Sequence, residues 1–290
     1  MTPDAITEDL RAVQAALAEH DLLANALELD TVGYTVVPPE KAAPAGFVDE
    51  VRERLLDVAE RREGARPDVT GGSTHENHKL PNYYYLLFED PIFEQLLMQP
   101  SALALVTQLC GWSCVLSTST ALIKGPSTKD PERLDIALHC DTEMHPPPFP
   151  LYAQYANATW LLSDYSREGG SLGFVPGSHL LCRQPNGGEG LDRLVPLEAP
   201  AGSLVVWHGN TWHGAYRRQT PGLRMAIAFL FARRYLLPRE PYREDTTPEM
   251  LDRNPPRFAT LMGQHVMAGW RAEGPDYSRL DTRAVPTVFT

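Results

Sequence analysis

The sequence predicts a mainly β fold with flanking helices, its core a jelly roll, and three observations carry that expectation. From about residue 112 onward, short β-branched and aromatic runs alternate with Gly, Pro, Asn and Asp. Apolar positions at helical spacing come before them. With 290 residues and 43% hydrophobic content, the chain can bury one large core. No internal repeat interrupts the pattern, and the Gly/Pro-rich stretches at 124–131, 145–150 and 184–190 read as loops. We therefore expect one domain over 1–290. It comprises a helical support to about residue 110, a jelly-roll core over about 112–237 and a wrapping segment over 238–290.

Amphipathic helices are expected over 5–26 and about 44–63, the second presenting Phe47, Val51, Leu55, Leu56 and Val58 among charged residues. Between them, Thr31 to Val37 is β-branched and aromatic and stops at Pro38-Pro39, which predicts a short strand. A helical stretch follows at 91–109. Strands are expected at 115–124, 134–140, 151–163, 172–176, 203–208 and 223–235. In the tail, Phe258, Leu261, Met262, Val266 and Trp270 suggest a further helix with irregular wrapping, whose role is not readable.

Charge and cysteine content narrow the function classes. Thirty-seven acidic residues against 26 basic give a formal net charge of -11, and no Lys/Arg run reads as a nucleic-acid or anionic-membrane patch. The expected partner is a small-molecule substrate, with the protein a monomer or homodimer. The first residues carry acids where a secretory signal carries bases, and no apolar run approaches the ~20 residues of a membrane span. The expectation is a cytoplasmic protein. The four cysteines, Cys110, Cys114, Cys140 and Cys182, form no Cys-x-x-Cys pair and read as reduced thiols.

Chemistry begins at Leu138-His139-Cys140-Asp141. Strand residues two apart project to one side, so His139 and Asp141 can face one metal while Cys140 turns away. The spacing is common, and a third ligand must come from another strand. His213, after the apolar run Leu204-Val205-Val206-Trp207, is well placed; His208 is a rival. Arg224, eleven residues after His213 (224 − 213 = 11), opens a strand whose alternation puts Arg224, Ala226, Ala228 and Leu230 on one face and Met225, Ile227, Phe229 and Phe231 on the other. The bulky face should pack against helices. The small alanines leave a cavity, and an arginine in a cavity needs an anion, which a ligand carboxylate or a buried Asp or Glu can supply.

Together these residues resemble the phytanoyl-CoA dioxygenase (PhyH-like) family of Fe(II)- and 2-oxoglutarate-dependent oxygenases. The resemblance runs from Leu27 to Val37, through Trp160-Leu161-Leu162-Ser163-Asp164 and Gly169-Gly170-Ser171 to Pro176-Gly177-Ser178-His179, and on to Arg224. It implies a double-stranded β-helix, the cupin-like jelly roll, with Fe(II) held by His139, Asp141 and His213. It also implies 2-oxoglutarate and O2 as cosubstrates, the distal carboxylate on Arg224, and Trp160 near the cosubstrate. Lys124 is a weaker candidate for a cosubstrate or substrate contact. The implied reaction oxidises a substrate C–H bond, most simply to an alcohol, while 2-oxoglutarate becomes succinate and carbon dioxide. Related halogenases carry Gly or Ala in place of the aspartate, so Asp141 argues against halogenation.

Two departures accompany the resemblance. Gly169-Gly170 stands where the family often has Asn-Gly, which should alter a turn and not the chemistry. Ala215 stands where some members carry a serine that touches the cosubstrate. His179 is expected to be structural. The loops at 74–85, including His75 and His78, and at 143–150 are expected to bound the substrate entrance. Two rival classes remain: a cupin-like metalloenzyme that does not use an oxo acid, which would not need Arg224, and a catalytically silent ligand-binding jelly roll, which should lack a complete triad.

Overall fold

A computed structural model describes residues 3–72, 82–143, 145–264 and 272–274. Ten strands among these residues form two antiparallel sheets. The larger orders β1 (Tyr34–Val37), β8 (Leu204–His208), β5 (Tyr155–Leu161), β10 (Arg224–Ala232), β3 (Val115–Lys124) and β2 (Asn82–Tyr84) side by side. The smaller orders β4 (Ile136–His139), β9 (His213–Ala215), β6 (Leu172–Phe174) and β7 (Val195–Pro196). This is the mainly β, cupin-like jelly roll with flanking helices.

Alternation along β10 organises the two sides of the large sheet. Met225, Ile227, Phe229 and Phe231 enter a core shared with the helices, while Ala226 joins Leu161, Phe174, Val205 and Trp207 between the sheets. That helical layer consists of α1 (Pro3–Glu19), α2 (Leu23–Thr31), α3 (Pro39–Ala42), α4 (Phe47–Glu63), α5 (Pro91–Leu97) and α6 (Pro100–Cys110). Buried Leu17, Leu29, Leu55, Phe93 and Leu105 face the sheet's bulky side, each gaining about 1.5–3 kcal/mol from burial.

Local chemistry sets several boundaries differently from the sequence expectation. The helix expected over 5–26 divides into α1 and α2, the latter extending through Thr31, and β1 starts only at Tyr34 after Gly33 (φ +92°). A Cβ on Gly33 would lie 2.5 Å from His179 Nδ1 and 2.7 Å from Thr211 Oγ1, so the turn needs glycine for conformation and space. The stretch expected as one helix at 91–109 divides into two at Pro100, whose ring and missing N–H suit the first turn of a new helix. Asp90 caps the first, accepting from Ile92 N at 2.9 Å. Residues 82–84, expected as part of a loop, form β2 on the edge of the large sheet; residues 74–81 of that loop, His75 and His78 included, lie outside the described residues.

The tail contributes α7 (Tyr242–Asp245), α8 (Pro248–Arg253) and α9 (Pro256–Leu261). Phe258, Leu261 and Met262 join the main core, while Val266 and Trp270 lie outside the described residues. The role that was unreadable in the sequence is that of a strap. Glu240 accepts from Tyr85 N at 3.1 Å and Ser119 N at 3.0 Å, and the Tyr242 hydroxyl also points at its carboxylate. Tyr85, held in the left-handed region at φ 66°, is thereby pinned between β2 and the tail. All four cysteines are free and buried, and no helix among the described residues is long and apolar enough to cross a membrane.

A second tie anchors α8. Glu94 on α5 is buried and accepts from Arg253 Nε at 2.9 Å, from the same guanidinium through Nη2, and from Asn254 Nδ2. Glu94→Ala should strand these donors against the core and lower unfolding stability by about 2 kcal/mol, between the values for exposed and fully buried pairs because Arg253 is partly open to water. Urea unfolding of the parent and variant measures this directly; equal midpoints would mean the tie contributes nothing.

Candidate active site

Cross-strand pairing builds the site. β4 and β9 run antiparallel with His139 opposite His213, and the ring centroids lie 4.3 Å apart. A Cβ on Gly214 would come within 2.8 Å of Ile136 O, so the close approach of these strands depends on that glycine. Each imidazole is tethered to the carbonyl two residues earlier: His139 Nδ1 to Ala137 O at 2.8 Å, and His213 Nδ1 to Thr211 O at 3.0 Å. Nδ1 must donate to a carbonyl, which leaves the lone pair on Nε2 free as a ligand.

Asp141 completes the set. Its Oδ1 lies 3.8 Å from His213 Nε2, and ligand atoms from His139, Asp141 and His213 all fall within 4.8 Å of one another. The indole of Trp207 donates to Asp141 Oδ2 at 2.9 Å, which fixes the carboxylate and leaves its other oxygen toward the histidines. Phe174 stacks on Tyr34 (4.4 Å) and lies 5.9 Å from His213, while Trp207 lies 5.0 Å from His213. Burial within these aromatics is the largest influence on His213 and pushes its pKa below the ordinary 6.5, against the opposing pull of the Asp141 charge. Burial thus favours the neutral ring, the form that can ligate a metal.

Arg224 lies on the inner face of the large sheet, two residues from Ala226 in the cluster that contains Phe174 and Trp207. It is 2% exposed. One terminal nitrogen donates to Gly170 O at 2.8 Å; the other is buried with no partner among the described residues. No Asp or Glu among those residues pairs with it. The antiparallel register sets Lys124 directly opposite Arg224. Both line a cavity of about 220 Å³ with Asp135, Gly170, Tyr216 and Arg218. Lys124 pairs with Asp135 at 2.5 Å, while burial first and the Arg224 charge second lower its pKa.

Other expected residues fall elsewhere. Trp160 pairs with Ile227 and packs in the helical core, on the side of the sheet opposite Arg224, because Leu161 takes the inward position. It does not reach the arginine cavity. His208, the rival ligand, is turned away from the triad: Nε2 contacts Leu151 O at 3.1 Å and Nδ1 accepts from Asn210 N at 3.0 Å. His179 is buried beside Gly33 with Nε2 3.2 Å from Asp30 O, a structural position. The turn at Gly169-Gly170 is nearer the chemistry than its sequence suggests, since Gly170 supplies the carbonyl that holds Arg224. Ala215 is buried on β9 and adds no side-chain hydrogen bond.

The sequence reading missed Trp207 and Asp135. Trp207 carried a signal, because an indole inside an apolar strand needs an acceptor for its N–H. Asp135 carried none, because its partner Lys124 is adjacent only through strand pairing.

A jelly roll that gathers two imidazoles and a braced carboxylate at one sheet, with a buried arginine on the inner side of the other, has the architecture of a mononuclear metalloenzyme. The chain belongs to the phytanoyl-CoA dioxygenase (PhyH) family of Fe(II)- and 2-oxoglutarate-dependent oxygenases, whose family model matches residues 29–226. It is 30% identical over 149 residues to dioxygenase af480 of Aspergillus fumigatus, a match covering 51% of this chain and 47%, about half, of that protein. The uncharacterised protein Rv1501 of Mycobacterium tuberculosis is 25% identical over 237 residues, covering 81% of this chain and 84% of its own length. Among solved structures, the α-ketoglutarate-dependent epimerase SnoN from nogalamycin biosynthesis superposes with a TM-score of 0.55 at 25% identity, over 74% of this chain and 84% of that one. HygX from Streptomyces hygroscopicus, with nickel and 2-oxoglutarate bound, gives a TM-score of 0.57 at 20% identity, over 74% and 88%.

The buried neutral His208 generates a pH dependence. Burial is the main cause that lowers its pKa from 6.5 to about 4. Above 6.5 both folded and unfolded chains carry a neutral ring; below it the unfolded chain takes the proton first, so stability falls as pH drops from 6.5 toward 4. The loss should reach up to about 3 kcal/mol. Thermal unfolding of the parent and His208→Gln across this window should show a steeper decline in the parent, and parallel curves would contradict the assignment.

Proposed function

We propose that this protein is an Fe(II)- and 2-oxoglutarate-dependent dioxygenase that hydroxylates a C–H bond of a small organic molecule. The observation that carries the reading is the presence of two features on two sheets that share an apolar interior: a convergent His139, Asp141 and His213 set at the small sheet, and on the large sheet a buried Arg224 with one terminal nitrogen unpartnered among the described residues. A divalent iron fits the donor set of two imidazoles and one carboxylate. A dicarboxylate fits the arginine, since its distal carboxylate would satisfy the orphaned nitrogen.

Iron bound there would supply the activation of dioxygen at the expense of 2-oxoglutarate, which is released as succinate and carbon dioxide. The protein's own work is positional and electrostatic. The carbonyls of Ala137 and Thr211 orient the two imidazoles, Trp207 holds Asp141 from behind, and Phe174 with Tyr34 walls His213 from water. Arg224 and Lys124 together set a positive potential at the cavity they share, balanced in part by Asp135. A silent binding jelly roll has no need for a braced triad, and an oxo-acid-independent cupin has no need for an unpaired Arg224.

Anaerobic titration of the metal-free protein with Fe(II) and 2-oxoglutarate should produce the visible charge-transfer band of a chelated oxo acid, and oxygen should then yield succinate. Absence of both overturns the reading. Mass spectrometry of a turned-over substrate should find one added oxygen; an isomer of unchanged mass would refute hydroxylation. Arg224→Ala should weaken 2-oxoglutarate binding about a hundredfold, from loss of a charge-assisted bidentate contact, and leave iron binding intact. Asp141→Ala should impair iron binding itself. Iron and 2-oxoglutarate titrations of both variants that match the parent would refute these residue roles. Asp135→Asn, which removes the internal competitor for Lys124, should tighten 2-oxoglutarate severalfold in a fluorescence titration; weaker binding would mean that Asp135 is needed to hold Lys124 in place.

A further inference from the structure

A second cavity, of about 560 Å³, opens where β10 runs out into the tail. Val115, Leu236 and Met262 contribute apolar surface to it, and Arg234, Arg239 and Arg243 contribute three guanidinium groups, with Glu244 as the one acid among its lining residues. Arg239 faces Glu143 at 3.7 Å. Arg234 and Arg243 pair with no acid among the described residues, although they are close enough for the Arg243 charge to disfavour the charged form of Arg234, after the larger effect of burial. A half-buried Arg234 beside the exposed Arg243, over an apolar floor, is a pair of like charges whose repulsion an anion relieves.

A small apolar cluster at the end of the large sheet adjoins the cavity. Val115 pairs with Ala232, and these two residues form one apolar cluster with Tyr155 and Leu230, against which Leu236 packs. Leu230 lies on the same face of β10 as Arg224 and Ala226. On the other side, Glu143, which meets Arg239, follows Asp141 by two residues and donates its backbone N–H to Asp141 O at 2.9 Å. A molecule seated against Arg234 and Arg243 could therefore lay its apolar part on Leu236, Val115 and Met262.

We infer that the Arg234–Arg243 cavity is a binding site for an anionic headgroup, phosphate or carboxylate, carried on an apolar body. The headgroup meets the two unpaired guanidinium groups, and the body covers Val115, Leu236 and Met262. Its use as the anchor for an oxidised substrate rests on the oxygenase reading above; the binding itself does not.

Calorimetric titration of the full-length protein, with no iron or 2-oxoglutarate added and at low ionic strength, tests the inference with octyl phosphate, octanoate, octanol and inorganic phosphate as probes. The expected result is saturable binding of octyl phosphate or octanoate, whichever headgroup is preferred, at least about tenfold tighter than octanol or inorganic phosphate. Arg243→Glu, at an exposed position that the fold tolerates, and the double change Arg234→Met with Arg243→Met should each weaken that binding about tenfold or more, while Arg224→Ala leaves it unchanged. Octanol binding as tightly as octyl phosphate, retention of affinity in both arginine variants, or loss of affinity in Arg224→Ala would each overturn it. Because no iron chemistry enters the measurement, failure here leaves the oxygenase reading standing, and failure of that reading leaves this site testable.

Discussion

Everything at the centre of this molecule depends on the antiparallel register of β4 and β9, which sets His139 opposite His213. A slip of one residue would turn each imidazole to the other face of its sheet. The register is held from several directions. Gly214 allows the strands to close, β6 pairs with the far side of β9, and Val175 N donates to Trp212 O at 2.9 Å just ahead of His213. With the rings placed, the paired carbonyls of Ala137 and Thr211 decide which nitrogen of each points inward. The small sheet is thus a jig for two lone pairs.

The large sheet meets a different demand, since it must be apolar on one face and accommodate charge on the other. β10 does this by alternation, with bulky residues against the helices and Arg224, Ala226 and Ala228 inward. The alanines allow an arginine to be buried without collapse of the space around it. Gly170 O satisfies one of its terminal nitrogens, and Asp135 and Lys124 neutralise each other beside it. The arginine remains available because the neighbouring cation already has a partner.

Much of this was legible in the sequence, where a periodicity of two is strong over long strands. β3 and β10 were read closely, and the two faces of β10 were assigned correctly. His139, His213 and Arg224 could be singled out because each sits at a strand end, with Asp141 two residues past β4. What escaped was whatever depends on pairing. β2 is three residues of Asn-Tyr-Tyr, too short a run for an alternation to be read despite its tyrosines, and β9 is His-Gly-Ala, no strand by propensity; both are held by the hydrogen bonds of a neighbouring strand. Lys124 gained its place from the strand opposite. Trp160 was placed near the cosubstrate by family likeness, and the alternation of β5 puts it on the other side.

The Glu240 strap has a consequence for how the protein is made. Its carboxylate joins residues 155 and 121 positions away in the chain, closing Tyr85 and Ser119 against a segment beyond the last strand of the barrel. Contacts of such long sequence separation form late, after the entropy of closing the intervening loop has been met. The edge strand β2 therefore acquires its final anchor only after residue 240 has left the ribosome, so a nascent chain halted just short of that point would carry all ten strands with one rim still unfastened.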